Sequence, residues 1–203
     1  MIKILIAEDQ AMLLTTLASL LSLEDDIEVV HQSSNGKDAI DFILDSKQEN
    51  IDLVITDIEM PELSGIELAQ LIQKNQLEIK VIILTTFSRS GYLRRAMDAG
   101  VKGYLLKDSP SDDLLKAIRK VVNGGRSISA ELLQDAWMEV DPLTEKERQA
   151  LRLAKEGATT EQIAKKLHLS SGTIRNYLSS ASSKLDANNR VEAARIAHQN
   201  GWL

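Results

Sequence analysis

The sequence predicts an α/β domain with a parallel sheet, followed by a small all-α domain. Three observations carry this reading. Short apolar runs rich in β-branched residues alternate with helical spacing as far as Val122. That alternation then stops at Asn123-Gly124-Gly125. Beyond Asp141-Pro142 only helical patterns remain. Strands that alternate with helices form parallel sheets covered on both faces, which is why the runs are continuously apolar.

Five runs read as strands: Ile2–Ala7, Ile27–His31, Ile51–Thr56, Ile79–Leu84 and Val101–Leu106. The intervening helical stretches are Met12–Leu23, Lys37–Ser46, Ile66–Asn75, Tyr92–Ala99 and Leu114–Val122. Ser64 with Glu67 forms a capping box, and Ser109-Pro110 reads as an N-cap followed by the first helical residue. The two glycines after Asn123 end the last of these helices. Residues 1–124 therefore form the first domain and 125–141 a linker with one short amphipathic piece, Ala130–Met138. Residues 142–203 form the second domain. There, Thr144 with Glu147 and Thr159 with Gln162 are capping boxes, and Ser170 and Asn189 read as N-caps, giving four helices and no strand.

Composition narrows the function. The chain has 203 residues and no cysteine, which removes disulfides, thiolate metal sites and cysteine nucleophiles, and fits a reducing cytoplasm. The N-terminus lacks the basic start and long apolar core of a signal peptide. No apolar run approaches the roughly 18 residues of a membrane span. Net charge is −6, divided as −10 over residues 1–141 and +4 over residues 142–203. An acidic part joined to a basic part points the second domain at a polyanion.

Parallel α/β sheets gather functional groups beyond the carboxyl ends of their strands. Glu8 and Asp9 follow the first run, Asp57 the third, Thr85 the fourth and Lys107 the fifth. A strand order of 2-1-3-4-5 would bring these ends together. Three carboxylates in one crevice call for a divalent cation, and hard oxygen ligands suit Mg²⁺. Lys107 adds a fixed positive charge, and the Thr85 hydroxyl can donate to a phosphoryl oxygen. Taken singly, each is more often a capping or solvated residue; the case rests on their joint placement.

With those residues in view, the segment resembles a response-regulator receiver domain. The motifs are Glu8-Asp9, Asp57-Ile58-Glu59-Met60-Pro61 with Gly65, Leu84-Thr85-Thr86 and Gly103-Tyr104-Leu105-Leu106-Lys107. The resemblance implies a flavodoxin-like fold and phosphorylation of Asp57 by a sensor histidine kinase. It implies that Asp9 binds Mg²⁺ directly, Glu8 through water, and Glu59 through its main-chain carbonyl. It further implies that Thr85 and Tyr104 form a switch pair. Two positions depart from the family pattern. Glu8 stands where most members have Asp, and Thr86 stands where Ala is common.

In the second domain, Ile174, Leu178, Ala181 and Leu185 share one helix face, opposite Arg175, Asn176, Ser179, Ser180 and Ser183. A shorter helix at Thr160–Leu167 precedes it, the helix-turn-helix arrangement. Arg175 and Asn176 can reach base edges in double-stranded DNA, and Thr173, Lys184, Lys165 and Lys166 its phosphates. By periodicity alone, a helical bundle with a solvated serine face fits equally well. The motifs decide between them: Leu143-Thr144-Glu145-Lys146-Glu147, Thr160-Glu161-Gln162-Ile163-Ala164, Gly172-Thr173-Ile174-Arg175-Asn176-Tyr177, Lys184-Leu185 and Asn189-Arg190-Val191-Glu192-Ala193. They resemble the LuxR/FixJ-type DNA-binding domain. That likeness implies a dimer interface on the last helix, where Val191, Ala194 and Ala197 are the candidates. Ser179 matches a position that is often Lys or Asn.

Together the two halves resemble NarL/FixJ-type response regulators. Within that family the chain resembles DesR-type regulators, through Leu23-Glu24-Asp25-Asp26, Thr85-Thr86-Phe87, Lys107-Asp108-Ser109-Pro110-Ser111 and Gly201-Trp202. The implied function is a phosphorylation-driven homodimer that binds DNA and controls transcription, with no membrane partner. Two other classes compete. An Asp-nucleophile phosphatase would put its second acid at Glu59, but Met60-Pro61 follows and no cap domain is evident. A constitutive scaffold would not need a complete acidic pocket.

Overall fold

The computed structural model describes residues 1–45, 50–86, 90–128 and 141–203. It falls into two compact units, which are described separately. The amphipathic piece expected at Ala130–Met138 and the side chain of Phe87 lie outside the described residues.

In the first unit the strands are β1 (Ile2–Ala7), β2 (Ile27–Ser33), β3 (Leu53–Thr56), β4 (Lys80–Thr85) and β5 (Gly103–Leu106). The helices are α1 (Ala11–Leu21), α2 (Gly36–Asp45), α3 (Gly65–Lys74), α4 (Ser90–Asp98) and α5 (Ser111–Val122). All strand pairs are parallel, in the order β2-β1-β3-β4-β5. The central strands are buried along their length: Ile4, Leu5, Ile6, Leu53, Val54, Ile82 and Ile83 have no exposed surface. Burying each such side chain stabilises the fold by about 1.5–3 kcal/mol.

The local signals mostly fall where the sequence puts them. Ser64 and Glu67 form both bonds of the capping box at the start of α3. Strand limits shift by one or two residues; β2 runs on to Ser33, and β3 and β5 start two residues late. The start of α5 needs a correction. Pro110, not Ser109, is the N-cap, with a non-helical ψ of 143°. The Ser109 amide is already used, donating to Leu106 O at 3.0 Å to close the turn after β5.

The second unit holds α6 (Glu145–Lys155), α7 (Thr160–Leu167), α8 (Ser171–Lys184) and α9 (Arg190–Gln199), with no strand among its described residues. Its core joins Leu143, Ala150, Leu151, Ile163, Ile174, Leu178, Ala181, Leu185 and the alanines of α9. Thr144 with Glu147 and Thr159 with Gln162 both form complete capping boxes. Asn189 caps α9 through bonds from Val191 and Glu192.

Candidate functional site: an acidic pocket and a helix-turn-helix

The parallel register sets the pocket. Ala7 pairs with Thr56, so β1 and β3 end side by side and deliver Glu8 and Asp57 to the same edge. The Asp57 amide donates to Ala7 O at 3.0 Å, and the Glu8 amide to Ser33 O at 3.0 Å. On the other side Thr85 pairs with Leu106, and the Lys107 amide donates to Thr85 O at 2.8 Å. Lys107 can therefore reach back over the strand ends.

Its ammonium sits between two buried carboxylates, 2.7 Å from Glu8 Oε2 and 2.9 Å from Asp57 Oδ2. Glu8 is 2% exposed and Asp57 6%, so neither charge is solvated in the ordinary way. The remaining lone pairs find backbone donors. Glu8 Oε1 accepts from the Gln10 amide at 3.1 Å, and Asp57 Oδ1 from the Ile58 amide at 2.6 Å. Burial pushes the Glu8 carboxyl above its usual range, against the pull of Lys107 and Gln10. Burial also draws Lys107 down, but the carboxylates of Glu8 and Asp57 outweigh it and hold the ammonium charged. The two directions agree physically. One cation faces two anions, so the cation is favoured and the more heavily desolvated carboxylate is not.

Asp9 is exposed beside them. Oxygens of Glu8, Asp9 and Asp57 lie within 4.8 Å of one another, a hard-donor set that can hold a metal ion. Thr85 and Tyr104 are both buried, and Glu59 lies half-buried in the bend after Asp57. Two glycines fix that loop. A Cβ on Gly65 would stand 1.9 Å from Asp57 O, and one on Gly36 would stand 2.3 Å from Leu63 O. The Gly36 amide also donates to Leu63 O at 3.2 Å. Gly36 escapes a reading of the sequence because it belongs to the start of α2, and only tertiary packing brings it to the β3–α3 loop.

In the second unit α7 ends on His168, which is left-handed at φ 54° and ψ 44°. The Leu169 amide then donates to Ala164 O at 2.9 Å, and Ser170 caps α8 by accepting from Thr173 N at 3.1 Å. The chain thus turns within four residues between α7 and α8. Ile174, Leu178 and Ala181 of α8 face the core, and Arg175, Asn176 and Ser179 face out. Lys165 and Lys166 are exposed on α7.

Residues 4–119 match the family described as response regulator receiver domain, and residues 141–197 match the bacterial regulatory proteins of the luxR family. The chain is a response regulator. It is 50% identical over 203 residues, the full length of both chains, to the transcriptional regulatory protein DesR of Bacillus subtilis (strain 168). It is also 50% identical, again over both full lengths, to the uncharacterized transcriptional regulatory protein YvfU of the same organism. Among solved structures it resembles RcsB from Salmonella enterica serovar Typhimurium, bound to promoter rprA with phosphomimetic BeF₃⁻. That likeness has a TM-score of 0.73 and 26% identity, covering 96% of this chain and 97% of that one.

The response regulator's structure corrects one reading and bears on a second. Ala194 and Ala197 are 2% and 0% exposed and pack into their own domain's core, so they are not available to a partner. Three alanines in α9 serve helix packing, where small side chains let helices approach. Val191, at 69% exposed, remains outside. Lys184 has a partner within its own domain: its Nζ lies 2.7 Å from Oε2 of the buried Glu147, and Glu147 Oε1 accepts from Ser180 at 2.6 Å. No helix among the described residues is long and apolar enough to cross a membrane.

Proposed function

We propose that this response regulator is switched by phosphorylation of Asp57 by a sensor histidine kinase. Phosphorylation promotes homodimerisation and binding to double-stranded DNA in the cytoplasm. The observation that carries this reading is the Lys107 ammonium held between Glu8 and Asp57, with Asp9 alongside. In this reading residues 1–124 receive the signal, 125–141 link, and 142–203 bind DNA.

An Asp57 carboxylate oxygen attacks phosphorus in line as the bond from phosphorus to the kinase imidazole nitrogen breaks. The electron pair of that bond stays on the nitrogen. Glu8, Asp9, Asp57 and the Glu59 main-chain carbonyl would hold Mg²⁺, which offsets charge on the phosphoryl oxygens. Lys107 keeps one cation on the acyl phosphate, and the Thr85 hydroxyl donates to a phosphoryl oxygen. Tyr104 follows Thr85, which converts a local charge change into a surface change. Arg175 and Asn176 read base edges, with Ser179 beside them, and Thr173, Lys165 and Lys166 hold the backbone. Two such units on two-fold-related half-sites bind with raised effective concentration.

The test compares the wild type with Asp57→Ala by gel filtration and DNA binding, each with acetyl phosphate and Mg²⁺. The wild type shifts to a dimer and binds more tightly, and the variant does neither. Equal dimerisation and equal affinity in both proteins would refute the switch and leave a constitutive DNA-binding scaffold.

A further inference from the structure

The DNA-facing helix α8 carries a cation that its own domain has already taken. Glu147, on the first turn of α6, is buried at 4% exposure, an unusual place for a carboxylate. Both of its oxygens are bonded. Oε1 takes the Ser180 hydroxyl at 2.6 Å; Oε2 takes the Lys184 ammonium at 2.7 Å and the Thr144 amide at 2.7 Å. Ser180 and Lys184 sit four residues apart on the last two turns of α8, so one carboxylate grips that helix at two points. Burial raises the Glu147 carboxyl, but the bonds from Lys184, Ser180 and Thr144 outweigh it and hold it down at about 2.

We propose that Glu147 is a positioning residue for DNA binding: it fixes the axial setting of α8 on α6 and withdraws Lys184 from the phosphates. This rests on the reading of α8 as the helix that meets DNA. The argument is a comparison of partners. A phosphate on DNA would offer Lys184 a solvated, mobile anion. Glu147 offers a buried, fully bonded one at short range, where the attraction is stronger. The Lys184 side chain is itself only 35% exposed and bent toward α6. Its charge is therefore spent inside the domain. Lys165 and Lys166 on α7 have no such buried partner among the described residues; Lys166 lies 3.9 Å from the exposed Glu156.

The experiment measures binding of the full-length protein, with acetyl phosphate and Mg²⁺, to a mixed-sequence duplex across a salt series. The slope of log affinity against log salt counts phosphate contacts, at about 0.9 per contact. Lys165→Met is expected to reduce the slope by about that amount. Lys184→Met is expected to keep the wild-type slope while affinity falls severalfold at every salt concentration. Ser180→Ala, which loses one bond and no charge, should behave the same way to a smaller extent. A Lys184→Met slope reduced like that of Lys165→Met would show that Lys184 reaches a phosphate, and would overturn the inference. Wild-type affinity in both Lys184→Met and Ser180→Ala would overturn it too. If the wild type itself showed no salt-dependent binding, the DNA-binding reading would fail instead, which separates the two. Circular dichroism of each variant establishes that the fold is intact.

Discussion

The Cβ position of Gly65 lies 1.9 Å from the carbonyl oxygen of Asp57, a separation that no side chain can occupy. The first residue of α3 is thereby pressed onto the backbone of the acidic pocket's central residue. The Gly65 amide donates to Ile58 O at 3.1 Å in the same contact. Replacement by alanine would recover up to about 1 kcal/mol of helix propensity. Displacing backbone costs about 1–3 kcal/mol, and the collision wins. Gly65→Ala should therefore melt at a lower temperature and accept phosphate from acetyl phosphate more slowly. A variant with wild-type melting temperature and phosphorylation rate would show that the loop relaxes freely.

Lys107 separates two buried carboxylates that would otherwise face each other without a counter-charge. Its replacement by methionine keeps the stem and leaves Glu8 and Asp57 unpaired. Breaking a buried pair in this way costs about 3–5 kcal/mol. Millimolar Mg²⁺ should restore much of that loss, because the cation supplies the missing charge among Glu8, Asp9 and Asp57. Thermal unfolding of Lys107→Met with and without Mg²⁺ measures this. The gain on adding Mg²⁺ should exceed that of the wild type; an equal gain would show that the cation does not replace the lysine charge, and no gain in either protein would count against a cation site there.

Glu147 gives a pH dependence with a defined sign. Its carboxyl is held at about 2 in the folded domain, against an ordinary 4.5. A depressed folded value contributes stability that is fully present above pH 4.5 and is lost as pH falls from 4.5 toward 2. Glu147→Gln should therefore be less stable than the wild type near neutral pH, by about 1–3 kcal/mol. The difference should narrow in acid over that window. Denaturant unfolding of both proteins at a series of pH values tests it; a difference that is constant with pH would remove the titration from the account.

His168 ends α7 in the left-handed region at φ 54°. A non-glycine residue there bears a steric cost of roughly 1 kcal/mol, which glycine relieves while adding entropy to the unfolded chain. His168→Gly should leave the domain slightly more stable, by about 0.5 kcal/mol. Differential scanning calorimetry would show a small rise in melting temperature; a fall would mean that the side chain contributes to the turn.

Much of the architecture and pocket could be read from residues alone, because these features are written locally. The parallel strands follow from continuous β-branched runs, and three capping boxes from Ser64, Thr144 and Thr159 with acceptors three residues on. The pocket was legible because strand ends in such sheets converge, so Glu8, Asp57, Thr85 and Lys107 needed only the strand order to meet. What local pattern does not contain is which partner a side chain finds across the fold. Ala194 and Ala197 look equally suited to a dimer face or a core, and only the packing of α9 against its neighbours turned them inward. Nothing near Lys184 in the sequence shows that Glu147, 37 residues earlier, bonds its ammonium. Gly36 and Leu63 have no relation along the chain and meet only because α2 and the β3–α3 loop are brought together. Periodicity and capping are set within a turn or two of the backbone, whereas charge pairing and close approach depend on three-dimensional distance, which the tertiary structure alone decides.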